Sequence, residues 1–101
     1  VFEKTGFIVQ LDLFMMECAC QRLRQWIDEG HSPVAISVNQ SKSLLLSPFY
    51  FNVITATIEK YNLPPRLIEI EVTETIMYDN AAELNLLISR IHDYGMRVAI
   101  E

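Results

Sequence analysis

The chain has 101 residues, which is the length of one domain or less. Half of the residues are hydrophobic and 21% are charged, so the composition excludes a disordered chain. The net charge is −5 and the eight basic residues are scattered, whereas a nucleic-acid-binding surface needs clustered Lys and Arg. We therefore expect no nucleic acid as partner. A small phosphorylated ligand still fits if bound cations supply positive charge.

The sequence contains no run near the ~18 apolar residues of a membrane span and no signal peptide. These features predict a cytoplasmic protein without membrane contact in this segment. The chain starts abruptly at Val1 and stops at Glu101 on an apolar strand. We therefore expect an internal fragment of a longer protein.

Apolar residues recur at intervals of three and four along the first segment, which predicts a helix with one buried stripe. The stripe consists of Ile8, Leu11, Met15, Ala19, Leu23 and Trp26. Gly30 is expected to end this helix, and residues 34–39 alternate as a strand does.

Two further helices alternate with two further strands. A second helix is predicted to open at Ser47 and Pro48, and a third near Asn80 with Glu83 completing a capping box. Gly95 is expected to end the third helix. The apolar stripe of the second helix is Phe51, Ile54, Ile58 and Tyr61, and that of the third is Leu84, Leu87, Ile88 and Ile91. The strands are predicted at 67–73 and 97–101.

Alternating helices and strands predict an α/β fold whose parallel strands are joined by helices. Both a doubly wound sheet and a (β/α)8 barrel have this order. Each predicted strand has one apolar face and one face that is polar or small, whereas strands covered by helices on both sides are nearly continuous in apolar residues. The pattern therefore favours part of a (β/α)8 barrel, with three strand–helix units and a functional lumen.

The three strands end in oxygen-bearing side chains, namely Asn39, Glu71 and Glu101. Barrel enzymes place their chemistry at the C-terminal ends of the strands, and amide and carboxylate oxygens suit Mg²⁺ or Mn²⁺. Taken singly, Asn39 could cap a turn and Glu71 could be an ordinary paired acid. Their matching positions favour a metal site.

Five segments of the sequence resemble the EAL domain family, in order along the whole chain. They are G-F-I-V-Q-L-D at 6–12, S-V-N-Q-S at 37–41, Y-N-L-P-P at 61–65, I-E-V-T-E at 70–74 and G-M-R-V-A-I-E at 95–101. The second resembles the motif S-V-N-x-S and the fourth the motif E-x-T-E. The last resembles the strand that leads into the motif D-D-F-G.

The resemblance implies a (β/α)8 barrel that binds two Mg²⁺ or Mn²⁺ ions and hydrolyses cyclic di-GMP to linear pGpG. By motif position, Asn39 and Glu71 are expected to be metal ligands, and Glu74 is expected to anchor a neighbouring active-site and dimerisation loop. Thr73 is expected to be structural. Glu101 stands where the first Asp of D-D-F-G is expected, and we count it as a third metal ligand.

Two departures from the family pattern limit these expectations. Glu101 replaces an Asp, and its extra methylene moves the carboxylate by ~1.5 Å, a misplacement that can cost a factor of ~100 in rate. The resemblance also implies that residues 1–101 are a partial EAL domain, without the E-A-L strand, the second Asp and the catalytic Lys. We expect this segment alone to be inactive and to form a homodimer or higher association through its open edges. GGDEF or sensory domains are expected elsewhere in the parent chain. The alternative is a degenerate EAL domain that binds cyclic di-GMP or a protein without cleavage.

Overall fold

The structure is a computed structural model, and it describes the backbone of residues 4–101 and the side chains of residues 6–101. The expected internal start at Val1 lies outside the described residues. The helices are α1 (Lys4–Asp28), α2 (Lys42–Leu45), α3 (Tyr50–Lys60), α4 (Glu74–Asp79) and α5 (Ala81–Tyr94), and a short 3₁₀ turn spans Pro65–Leu67. The strands are β1 (Ile36–Asn39), β2 (Ile68–Val72) and β3 (Arg97–Ile100). Among the described residues no helix is both long and apolar enough to cross a membrane.

The three strands form one parallel sheet in the order β1-β2-β3. Helical segments connect each strand to its parallel neighbour along the chain, as a βα repeat requires. The predicted alternation is clearest in β2, where Ile68, Ile70 and Val72 are buried against the helices while Glu69 and Glu71 are half-buried on the other face. Within the part of the chain that is described, β1 and β3 are edge strands.

The predicted stripe of α1 is confirmed towards the end of the helix, where Leu23 is buried and Ala19 and Trp26 pack against the core, but it is wrong at Leu11 and Met15. Leu11 and Met15 are 46% and 51% exposed, whereas the neighbouring Met16 and Cys20 are buried. The α1 residues in the core or packed against it are Val9, Leu13, Met16, Ala19, Cys20, Leu23, Trp26 and Ile27. Apolar residues occupy more than one face of this helix, so spacing alone did not identify the buried face.

The predicted start of the second helix is also wrong. Ser47 and Pro48 form a turn before α3, because the preceding residues already form α2, whose N-cap Ser41 accepts a hydrogen bond from the Leu44 N–H through Oγ. The helix α3 begins at Tyr50, which is fully buried. The predicted inward positions Ile54 and Ile58 are confirmed.

The third predicted helix is confirmed as α5, with Leu84 and Ile91 buried, but its capping box is absent. The side chain of Asn80 instead donates to the carbonyl of Ile76 in α4. That short helix was not predicted. Its N-cap is Thr73, whose Oγ1 accepts from the Ile76 N–H at 3.2 Å, so the structural role expected of Thr73 is confirmed.

Candidate functional site

The site residues predicted on β1 and β2 are direct neighbours. Asn39 pairs with Glu71 in the parallel register, so both side chains leave the sheet on the same face at its C-terminal edge. Adjacent strands lie about 4.8 Å apart, which brings the two side chains within reach of one ligand. Asn39 is exposed and Glu71 is half-buried. Two oxygen donors therefore lie side by side where the sheet ends.

The third predicted residue lies farther along the sheet. Glu71 pairs with Ala99 on β3, and Glu101 follows Ala99 by two residues on the same face. Two residues of a parallel strand span about 6.6 Å, so Glu101 lies one pleat beyond the row of Asn39 and Glu71. The three residues share a face and an edge, and Glu101 is displaced outward.

Two backbone hydrogen bonds fix this displaced position. The N–H of Glu101 donates to the carbonyl of Val72 at 3.0 Å, and the N–H of Glu74 donates to the carbonyl of Glu101 at 2.6 Å. The first continues the β2–β3 pairing past the end of β3. The second connects Glu101 to the first residue of α4. The end of β3 is therefore tied to the start of the helix that follows β2.

Glu74 is exposed in the first turn of α4. A carboxylate there is favourable because the N-terminus of a helix carries partial positive charge. Among the described residues the Glu74 side chain makes no hydrogen bond, and the Glu74 N–H donates to the carbonyl of Glu101. The anchoring role of Glu74 stays a prediction.

A second polar row lies one pleat deeper on the same face. Ser37, Glu69 and Arg97 are paired across the three strands, and the Ser37 Oγ donates to Glu69 Oε1 at 2.7 Å. These residues bring a carboxylate and a cation beneath the row of Asn39 and Glu71. The alternation of the strands placed them on the polar face, but their mutual pairing follows only from the register.

A hydrogen-bonded corner supports the end of β1, and the sequence patterns did not reveal it. The Ser41 N–H donates to the carboxylate of Asp12 in α1 at 2.6 Å, and Gln40 and Tyr50 are buried and bonded to each other. Burial raises the pKa of the Tyr50 hydroxyl, and the nearby charge of Asp12 adds to this effect, so Tyr50 stays protonated and can donate.

The donor chemistry fits a hard divalent cation. Asn39, Glu71 and Glu101 offer amide and carboxylate oxygens, which suit Mg²⁺ or Mn²⁺. The described part of the chain contains no cluster of three or more His, Cys, Asp or Glu side chains placed to hold a metal. Mg²⁺ takes about six oxygen ligands, so the donors shown here would be only part of a coordination sphere.

Comparison with known proteins identifies the chain. The sequence profile of the EAL domain matches residues 1–101. The chain belongs to the EAL domain family. Signaling protein YkoW of Bacillus subtilis is 33% identical to this EAL segment over 101 residues, which are 100% of the chain and 12% of YkoW. The bifunctional diguanylate cyclase/cyclic di-GMP phosphodiesterase MucR of Pseudomonas aeruginosa is 31% identical over 100 residues, which are 98% of the chain and 14% of MucR.

Solved EAL domains confirm the predicted fold. The PaMucR phosphodiesterase in its c-di-GMP complex matches with a TM-score of 0.90 at 27% identity, over 96% of this chain and 39% of that one. The FimX EAL domain matches with a TM-score of 0.84 at 16% identity, over 90% of this chain and 36% of that one. The EAL segment is thus a portion of a (β/α)8 barrel with three parallel strands. It spans 12% to 14% of the two curated relatives.

Proposed function

We propose that this EAL segment forms part of the active site of a cyclic di-GMP phosphodiesterase, which hydrolyses cyclic di-GMP to linear pGpG with Mg²⁺ or Mn²⁺. The observation that carries the proposal is the direct pairing of Asn39 with Glu71 at the C-terminal edge of a parallel sheet. That edge is where barrels of this kind hold their chemistry. MucR, a relative at 31% identity, is named as a cyclic di-GMP phosphodiesterase.

In this proposal Asn39, Glu71 and Glu101 hold the metal ions. Bound divalent cations supply positive charge that offsets the phosphate and favours attack by water. Glu71 and Glu101 would bind the cations through carboxylate oxygens, and Asn39 through its amide oxygen. The β3 partner of Glu71 is Ala99, whose small side chain supports the proposal of a ligand oxygen beside Glu71. Glu74 would hold an adjoining loop from its position at the start of α4.

The net charge of −5 also fits a site that depends on cations. Cyclic di-GMP is anionic, and the described face beside Glu71 presents carboxylates with one guanidinium, that of Arg97. Without metal ions the site would repel the phosphates. We therefore expect binding of the nucleotide itself, as well as its hydrolysis, to require a divalent cation.

The exposed apolar side of α1 supports the proposed homodimer or higher association. Phe7 and Phe14 are 56% and 61% exposed, and Leu11 and Met15 line a groove of about 490 Å³ against the open edge of β1. We propose that a second copy of the chain or another domain covers this groove in the full-length protein. We also propose that the full-length protein acts in the cytoplasm and contains sensory or GGDEF domains.

The second candidate function is a receptor that binds cyclic di-GMP without cleaving it. The observation in its favour is Glu101, which stands where the family motif has Asp. The extra methylene of Glu moves the carboxylate by ~1.5 Å, and a displacement of that size can leave nucleotide binding intact while hydrolysis falls by ~100-fold.

Hydrolysis of cyclic di-GMP by the full-length protein with Mn²⁺, followed by chromatography of linear pGpG, tests the proposal. Glu71→Ala and Glu101→Asp are compared with the wild type, and nucleotide binding is measured in parallel. Turnover by the wild type that is lost in Glu71→Ala supports the phosphodiesterase. Binding without turnover in the wild type overturns it in favour of the receptor, whether or not Glu101→Asp restores hydrolysis.

A further inference from the structure

We propose that Gln40 and Tyr50 act as a matched pair of positioning residues for Asn39, an inference that rests on the proposed metal site. Gln40 directly follows Asn39 at the end of β1, and Tyr50 is the first residue of α3. Neither faces the proposed ligand. Their effect would be transmitted to Asn39 through the backbone of β1.

The pair is buried and hydrogen-bonded. The Tyr50 hydroxyl donates to Gln40 Oε1 at 2.9 Å, and Gln40 Nε2 donates to the Asn39 carbonyl at 2.9 Å. A longer contact of 3.4 Å joins Gln40 Nε2 to the carbonyl of Asp12 in α1. Tyr50 is 0% exposed and Gln40 is 5% exposed. One chain of hydrogen bonds therefore connects α3, the end of β1 and α1.

Each member of the pair depends on the other. Among the described side chains, Gln40 is the one buried amide, and no buried side-chain nitrogen or oxygen lacks a partner. Loss of one partner would leave either the Tyr50 hydroxyl or Gln40 Oε1 buried and unpaired, and such a group rotates, admits water or shifts the backbone to recover a hydrogen bond. Replacement of both partners by apolar side chains of similar shape removes the hydroxyl and the amide together, and leaves only the carbonyls of Asn39 and Asp12 without the donor that Gln40 supplied.

Asn39 is sensitive to this corner because nothing else holds its side chain. In the described residues the Asn39 amide makes no hydrogen bond, and the residue is exposed. The position of Asn39 therefore depends on the pairing of β1 with β2 and on the hydrogen-bonded corner that follows β1. The corner consists of the Gln40–Tyr50 pair and the bond from the Ser41 N–H to Asp12, 2.6 Å long. A disturbed corner would move a proposed metal ligand without touching the metal.

The test measures Mn²⁺ affinity of the full-length protein by electron paramagnetic resonance of the free ion, at a temperature where every variant is folded. Tyr50→Phe and Gln40→Leu are each expected to lower the affinity by about tenfold, the lower end of the range for residues that orient a ligand. The combined variant is expected to lose no more affinity than Gln40→Leu alone, because the Tyr50 hydroxyl that Gln40→Leu leaves unpaired is then absent. Tyr78→Phe, which removes the hydroxyl of a tyrosine that is 88% exposed, is the matched control and should change nothing.

Two outcomes overturn the inference. Single variants that melt earlier but bind Mn²⁺ like the wild type would show that the pair only stabilises the fold. Losses that add up in the combined variant would show that the two residues do not act as a pair. Asn39→Ala separates these failures from failure of the proposed function. If Asn39→Ala also leaves Mn²⁺ affinity unchanged, the metal site itself is wrong, and the positioning role falls with it.

Discussion

Substitution of Gly95 by Ala tests the turn that ends α5 and leads into β3. Glu101 directly follows that strand. Gly95 follows α5 with φ of 109°, in the left-handed region. Its N–H donates to the carbonyl of His92 at 3.0 Å, and the N–H of the buried Met96 donates to the carbonyl of Ile91 at 3.1 Å. These two bonds form a Schellman motif, which closes the helix and turns the chain into β3.

The expected cost comes from the backbone and not from crowding. A Cβ at position 95 would meet Pro65 Cβ at 3.4 Å, which is ordinary contact. A left-handed conformation costs a residue with a Cβ roughly 1–2 kcal/mol. In a cooperative unit of about 150–250 residues, each kcal/mol lowers the Tm by about 2–4 °C. We therefore expect Gly95→Ala to lower the Tm by about 2–8 °C.

Thermal unfolding of the full-length protein, followed by calorimetry, measures this shift. Gly6→Ala is the matched control, since Gly6 lies within α1 with no atom near its missing Cβ. Alanine is favoured over glycine inside a helix by about 0.5–1 kcal/mol, so the same chemical change should raise the Tm there. A Gly95→Ala variant as stable as the wild type would refute the argument from the left-handed turn.

Two further substitutions test the other contacts described above. Thr73→Ala removes the N-cap of α4 and should cost about 1 kcal/mol, seen as faster amide hydrogen exchange in that helix, while Thr73→Ser should behave as the wild type. Glu17→Gln tests a contact between α1 and α3. Hydrogen bonds from Lys60 and Tyr61 lower the pKa of Glu17, so its carboxylate stabilises the fold above the unfolded-state pKa, and this contribution is lost as the pH falls through the folded-state value. The Tm of the variant should lie below that of the wild type at neutral pH and approach it in acid, whereas a constant difference would contradict this assignment.

The sequence predicted the sheet better than the helices, for a physical reason. Side chains in a strand have only two faces, so alternation alone separated buried Ile70 from half-buried Glu71. A helix surface is continuous, and apolar residues on several sides of α1 left its rotation open. The folded packing buries Met16 and Cys20 and leaves Leu11 exposed. The short α4 was missed because Thr73 and Glu74 were interpreted only as the end of a strand and a family motif.

The candidate site was predicted in its residues but not in its layout. Strand ends and motifs predicted Asn39, Glu71 and Glu101. Their relative positions along the strand direction depend on strand register, which the positions of the residues in the sequence do not specify. The pairing of Glu71 with Ala99 sets Glu101 outward by two residues. The supporting pair of Gln40 and Tyr50 gave no sequence signal, because an isolated Gln and a Tyr ten residues later form no pattern until the chain folds.

The two ends of the candidate site are held by different means. Asn39 is placed by direct strand pairing and by the buried corner beneath it, which involves α1 and α3. Glu101 lies past the last paired residue of β3 and is held by backbone bonds to Val72 and Glu74, at the start of α4. A change in the cap of α4 should therefore disturb Glu101 and spare Asn39, whereas a change in the buried pair should do the reverse. The donors share one edge of the sheet, but separate parts of the fold determine their positions.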